Sequence, residues 1–190
     1  MNKGTIGALV ILAVVLVGGF AAFYYFGKGK QTTHPDYMQA TYLIEGKQVT
    51  LEKLPEPGTS VPDPYGEHTY FFGNTLKTDL NGDGVPDLAF IVVWKGGGTG
   101  SFFYVVGAVQ QADGGYVGSD GYPLGDRIAP QTINESQNPA QKNVIVVNYA
   151  DRALGDPMTA RPSFGKSVYL KLDSNSRWGI VEPNFSGESR

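Results

Sequence analysis

Cysteine is absent from the 190 residues. That excludes a disulfide-stapled scaffold, a thiol enzyme, a thiolate-ligated zinc or iron–sulfur centre, and a lipoprotein anchored through cysteine. Histidine is scarce, with only His34 and His68 present, and no H-E-x-x-H pattern occurs. Positive charge is in the minority: 15 Lys and Arg stand against 18 Asp and Glu, for a net charge of −3. The basic footprint left by nucleic-acid binding is therefore missing. A G-x-S-x-G nucleophile elbow is missing too. The GGGTG run at 96–100 lacks the Lys-Ser/Thr pair and the strand-to-helix setting of a phosphate loop, so it is a turn. Past residue 40 no stretch carries a 3.6-residue period, and no repeat of fixed length recurs. A solenoid or propeller built wholly from this chain is not expected.

What is present is aromatic and turn-rich. Aromatic residues make up 12% of the chain, enough for a packed core, and glycine and proline together make up a fifth. That stays short of the roughly 25–30% at which disorder becomes the default reading.

The first segment bears on location. Thr5–Phe26 carries no charge; its twenty-two residues, at about 1.5 Å each, span about 33 Å, enough for a bilayer core of about 30 Å. Lys3 flanks one end, and Lys28 and Lys30 flank the other. Phe20, Phe23, Tyr24, Tyr25 and Phe26 crowd the second end like an interfacial aromatic belt. Gly19, Ala21 and Ala22 offer small residues to a signal peptidase, but the apolar run exceeds the roughly 7–15 residues of a cleavable signal. The expectation is an uncleaved anchor over 1–26 and a polar tether over 27–40. An extracytoplasmic domain over 41–183 and a short tail over 184–190 follow. The chain is thus expected to be a single-pass protein of the bacterial cell membrane, its membrane contact made by the N-terminal helix, with no nucleic-acid partner.

The part beyond the tether reads as all-β, a single sandwich or a partly open barrel. Strands are predicted at Thr41–Glu45, Gln48–Leu54, Glu67–Phe72, Asp87–Lys95, Ser101–Val109, Thr132–Glu135, Asn143–Tyr149, Ser167–Leu172 and Trp178–Glu182, with turn signals about every 8–12 residues. Gly46-Lys47 and GGGTG read as hairpin connections. Pro55–Gly66, with four prolines in twelve residues, is an extended surface loop. From Gly27 onward the chain carries 14 basic and 18 acidic residues with no basic stripe.

One motif has a defined chemistry. Asp79-Leu-Asn81-Gly-Asp83-Gly84-Val85-Pro-Asp87 reads D-x-N-x-D-G-x-x-D. Side chains at positions one, three and five of such a loop turn toward one centre, Gly84 makes the turn, the Val85 carbonyl adds an oxygen, and Asp87 closes the set directly or through water. An all-oxygen set suits Ca²⁺ better than zinc or copper. Position twelve is Phe90, not the bidentate Glu of an EF-hand, and a strand follows rather than a helix. A plain turn also accommodates Asn-Gly and Asp-Gly, but it does not require acids at one, five and nine.

The string FFGNTLKTDLNGDGVPDLAFIV resembles the FG-GAP and related calcium-loop repeats of extracellular β-propellers and adhesive bacterial proteins. That resemblance implies calcium at the loop; occurring once, it does not extend to a propeller. The longer stretch, from FGNTLKTDLNGDGVPDLAF through YPLGDRIAPQTI to VIVVNYADRALGDPMTARPSFGKSVYLKL, is similar to an uncharacterised family of bacterial envelope proteins. The similarity implies an exported, bacterial setting and no particular chemistry.

Two Asp-Arg pairs, Asp126-Arg127 and Asp151-Arg152, stand at predicted strand edges, with Asp156 and Arg161 close behind. Such pairs commonly hold loops together by charge-assisted hydrogen bonds; the other reading is a cleft where Asp126, Asp151 and Arg152 meet a ligand. Asn134-Glu-Ser136 and Asn184-Phe-Ser186 fit a glycosylation pattern that arises often by chance. Two functions follow. In the first, a membrane-tethered β module with a structural Ca²⁺ engages an envelope protein or glycan. In the second, an envelope hydrolase, with glycans as its candidate substrate, uses acidic residues converging in a cleft.

Overall fold

Residues 88–94 and 102–109 are apolar without alternation, and a strand apolar on both faces must be covered on both. The computed structural model describes residues 33–57, 63 and 65–181; the anchor, the start of the tether and the C-terminal tail lie outside them. Among the described residues twelve strands form: β1 (Tyr42–Ile44), β2 (Lys47–Val49), β3 (Glu52–Lys53), β4 (Glu67–Thr78), β5 (Asp87–Gly96), β6 (Phe102–Gln110), β7 (Tyr116–Gly118), β8 (Tyr122–Asp126), β9 (Ala129–Glu135), β10 (Val144–Asp151), β11 (Phe164–Leu172) and β12 (Trp178–Ile180).

They make three sheets. The largest runs β3-β4-β5-β6-β7, with β8 also pairing β6; a second runs β12-β11-β10-β9; β1 and β2 form a hairpin. Among the described residues the fold is all-β, and its sheets do not close into a barrel. The central strands β5 and β6 are sealed on both faces. Ala89, Ile91, Val93, Phe103 and Val105 face Ile133, Ile145, Val147, Tyr149, Leu170 and Leu172 of the four-stranded sheet. Phe90, Val92, Tyr104, Val106 and Ala108 pack against Ala40, Tyr42 and Ile44. The chain is thus layered, with the largest sheet in the middle.

Several boundaries differ from the sequence reading. The run 48–54 divides: β2 pairs with β1, whereas β3 joins the large sheet parallel to β4 through Glu52 and Lys53. Strand β4 continues past Phe72 to Thr78. Gly73 and Asn74, just past the expected end, form an irregularity inside the strand, with φ of 120° and 53°, and the register to β5 shifts there. Strands β7 and β8 are short and contain Gly or Pro, so no apolar run announces them. Residues 33–40, read as tether, belong to the fold: His34 and Tyr116 exchange backbone hydrogen bonds, and a 3-10 turn at Tyr37–Gln39 carries Tyr37 onto the second core. Gly118 is required where it stands, because a Cβ there would meet the backbone carbonyl of Thr41.

Candidate functional site

The acidic loop joins β4 to β5, as its flanking apolar runs predict, and its side chains fold back on its own backbone. Asp79 accepts the N–H groups of Gly82 (2.6 Å) and Gly84 (2.9 Å). Asn81 accepts from the Asp83 N–H at 2.9 Å and donates its amide to Asp83 Oδ2 at 2.8 Å, while Asp83 Oδ1 accepts the Val85 N–H at 2.7 Å. The Asn81 amide, followed by the Val85 N–H, holds the Asp83 carboxyl below its ordinary range. Asp87 differs in being fully buried. Its two oxygens accept the N–H groups of Leu80 (2.9 Å) and Gln110 (2.8 Å), so it ties the loop to the end of β6. Burial pushes its carboxyl upward against those two bonds, and the charges of Asp83 and Asp79 push the same way.

The loop's donor set is entirely oxygen, and a carboxylate oxygen that has accepted one N–H keeps lone-pair capacity. Among the described residues no three acidic or histidine side chains gather into a metal-binding group by themselves. A cation here would therefore rest on Asp79 and Asp83 together with amide, carbonyl and water oxygens, with Asp87 behind them.

The two Asp-Arg pairs, separated by a full sheet crossing in sequence, meet at the far end of the interlayer core. In the four-stranded sheet the core-facing row of β10 runs Ile145, Val147, Tyr149, Asp151, and that of β11 runs Leu172, Leu170, Val168, Lys166, Phe164, by the register of the two strands. Burial fades along both rows: Leu170 is wholly buried, Val168 partly so, and Phe164 is 56% exposed. Where the rows run past the large sheet a cavity of about 640 Å³ opens, lined by Asp126, Asp151, Arg152, Leu154, Met158 and Phe164 among others. Leu154 is fully exposed, and Met158 is half exposed.

Asp126, Asp151 and Arg152 of this cavity are already committed, while Asp156 accepts the Ala153 N–H at 3.1 Å. Asp126 accepts from the Arg127 guanidinium (2.7 Å) and the Ser101 N–H (2.9 Å). Asp151 accepts from Lys166 Nζ (2.7 Å) and the Arg152 N–H (2.7 Å). The Arg127 bond is the chief reason Asp126 lies below the ordinary carboxylate range, and the Lys166 bond does the same for Asp151. Arg152, its side chain 8% exposed, donates to the carbonyls of Asp126 (3.2 Å) and Arg127 (3.0 Å), clasping the corner between β8 and β9. Among the described residues its Nε is buried without a partner, and its Nη1 stands 3.7 Å from Asp151.

The structure thus brings together all four residues of the Asp-Arg pairs, three of them on the cavity wall and Arg127 through its bond to Asp126. Sequence reasoning missed Lys166 as the partner of Asp151 and missed the apolar rim. A signal for the rim exists: Leu154 and Met158 stand in a Gly- and Pro-rich connection where no strand period calls for an apolar residue.

His68 lies elsewhere, on β4. Its Nδ1 faces the Glu52 carboxylate at 3.0 Å and its Nε2 faces the Asp63 carbonyl at 2.6 Å. Both partners accept, so the ring satisfies both only as the cation, and its pKa is raised, chiefly by the Asp63 carbonyl and then by Glu52. Comparison with models of protein families, with curated proteins and with solved structures gives no match for this chain.

Proposed function

We propose that this chain is a membrane-tethered, extracytoplasmic β module of the bacterial envelope. In this reading it docks a partner at the cavity at the end of its core and holds a structural Ca²⁺ in the loop Asp79–Asp87. The observation that carries the docking role is the composition of the cavity: its two ion-paired carboxylates sit beside an exposed rim of Leu154, Met158 and Phe164. Exposed apolar groups around a concavity are a usual mark of an interaction site.

The hydrolase reading draws on the same convergence of Asp126 and Asp151. A glycoside hydrolase needs one carboxyl kept protonated near neutral pH, and both of these are pulled the other way by their cations. The balance therefore favours binding. The sandwich architecture and the N-terminal helix over residues 5–26 belong to this proposal as well; for the helix, support comes from its charge-free length.

Calcium in the loop would screen Asp79 and Asp83 from Asp87 and so relieve the repulsion that adds to burial in raising Asp87. The test is calcium titration of the full chain in mild detergent, followed by thermal unfolding. At one hundred times its dissociation constant a bound ion adds about 2.7 kcal/mol. Asp83→Ala is expected to abolish the shift. An unchanged wild-type melting temperature in millimolar calcium overturns the metal role. A phosphatase fusion after Lys30 that stays inactive overturns the extracytoplasmic one.

A further inference from the structure

Among the described residues β12 pairs with β11 at Leu170, Lys171 and Leu172. The Val181 N–H donates to the Tyr169 carbonyl at 2.9 Å, so the odd-numbered residues of β11 turn their N–H and C=O groups away from β10. Gly165 and Ser167 are two such residues beyond the reach of β12. Among the described residues no strand pairs with them on that side. Both are exposed, and a Cβ added at Gly165 would meet nothing within 4 Å. Lys166 and Phe164, which alternate with them, line the cavity. An open sheet edge and the cavity are therefore one continuous surface.

We infer that this surface takes an extended peptide segment of another protein as an added strand beside Gly165–Ser167, with an uncharged apolar side chain entering the cavity between Phe164, Leu154 and Met158. The inference rests on the docking role proposed above and specifies its mode. Strand addition uses main-chain hydrogen bonds for affinity and alternate side-chain pockets for selectivity. The ligand class follows from charge. Asp126 is held by Arg127, and Asp151 by Lys166; Asp156, the third carboxylate of the wall, accepts the Ala153 N–H at 3.1 Å and is balanced in charge by Arg152, so the wall carries no net charge around an apolar opening. A volume of about 640 Å³ exceeds one large side chain and leaves room for its neighbour. The chain's own continuation is a poor occupant by its sequence, since Pro183, two residues after Val181, has no N–H to donate to a ladder.

The test is selection of peptides from a random nine-residue display library on the full chain in detergent, followed by affinity measurement with the enriched peptides. Expected are sequences alternating β-branched and apolar residues. Their affinity should fall about tenfold or more when alternate backbone amides are N-methylated, a loss of main-chain bonds that leaves side chains unchanged. Gly165→Pro, which removes an outward N–H and no bond to β10, should weaken binding similarly, as should Leu154→Asp at a fully exposed position that folding does not depend on. Enriched peptides that tolerate N-methylation and Gly165→Pro but not Leu154→Asp overturn strand addition while leaving the docking cavity standing. Peptides indifferent to all three changes, or no enrichment at all, overturn both. A dimer in solution that Gly165→Pro dissolves assigns the edge to a second copy and overturns the peptide assignment.

Discussion

Replacing Arg152 by Leu tests whether the Asp-Arg constellation is scaffold. The guanidinium donates to two backbone carbonyls, of Asp126 at 3.2 Å and of Arg127 at 3.0 Å. Hydrogen bonds from a charged donor contribute about 1.5–3 kcal/mol each. The corner they hold is half-buried, so water replaces part of that loss, and removing the unpartnered Nε returns about 1 kcal/mol. The net cost is about 2–3 kcal/mol, which for a unit of this size lowers the melting temperature by about 5–10 °C. Intrinsic fluorescence of Trp94 and Trp178 is the assay. A double-mutant cycle with Asp151→Asn separates the roles: at 3.7 Å, and with Lys166 already on Asp151, the coupling is expected to stay below about 1 kcal/mol. If Arg152→Leu melts within about 1 °C of the wild type, the guanidinium does not clasp the corner and the reasoning fails.

Four further outcomes are expected. Asp87→Asn leaves one of the Leu80 and Gln110 N–H groups facing an amide NH2 in a fully buried site and should cost about 2–3 kcal/mol in urea denaturation. Because the folded pKa of Asp87 is raised, wild-type stability from this group is full at acid pH and is lost as pH rises through that pKa, a slope that Asp87→Asn should remove. His68 is also raised, by Asp63 and Glu52, so its contribution is present below its unfolded pKa of about 6.5 and is lost as pH climbs through the folded value. His68→Gln should flatten the urea midpoint between mildly acid and mildly alkaline buffer. Gly118→Ala drives a Cβ against the Thr41 carbonyl and should destabilise the packing of the β1–β2 hairpin, read as early amide exchange at Tyr42 and Ile44.

The strongest strands were legible because their side chains obey a simple burden: residues 88–94 of β5 and 102–109 of β6 are apolar without alternation, and only a strand covered on both faces tolerates that. What covers them was not legible. The second cover is a short hairpin with Tyr42 and Ile44 inward, and nothing local states which sheet a three-residue strand will meet. The continuation of β4 past Phe72 was not legible, because the positive φ of Gly73 and Asn74 serves an irregularity within the strand. The acidic spacing foretold a loop between two strands, yet it could not foretell that Asp87 turns into the core, because burial is a property of the packed sheets. Likewise Asp151-Arg152 reads as a pair in sequence, while in space Arg152 serves the backbone of Asp126-Arg127 and Lys166 serves Asp151. The 3.6-versus-2 period of a chain reports which way a residue faces; it does not report which long-range neighbour it meets.

The docking role of the cavity is tested most directly by photo-cross-linking in intact bacterial cells from benzoylphenylalanine placed at Leu154, with the same group at the exposed Thr75 as control. The proposal predicts a discrete cross-linked partner band from position 154 that Met158→Asp removes and that position 75 does not give. Equal cross-links from both positions, or a band from 154 that survives Met158→Asp, would contradict it.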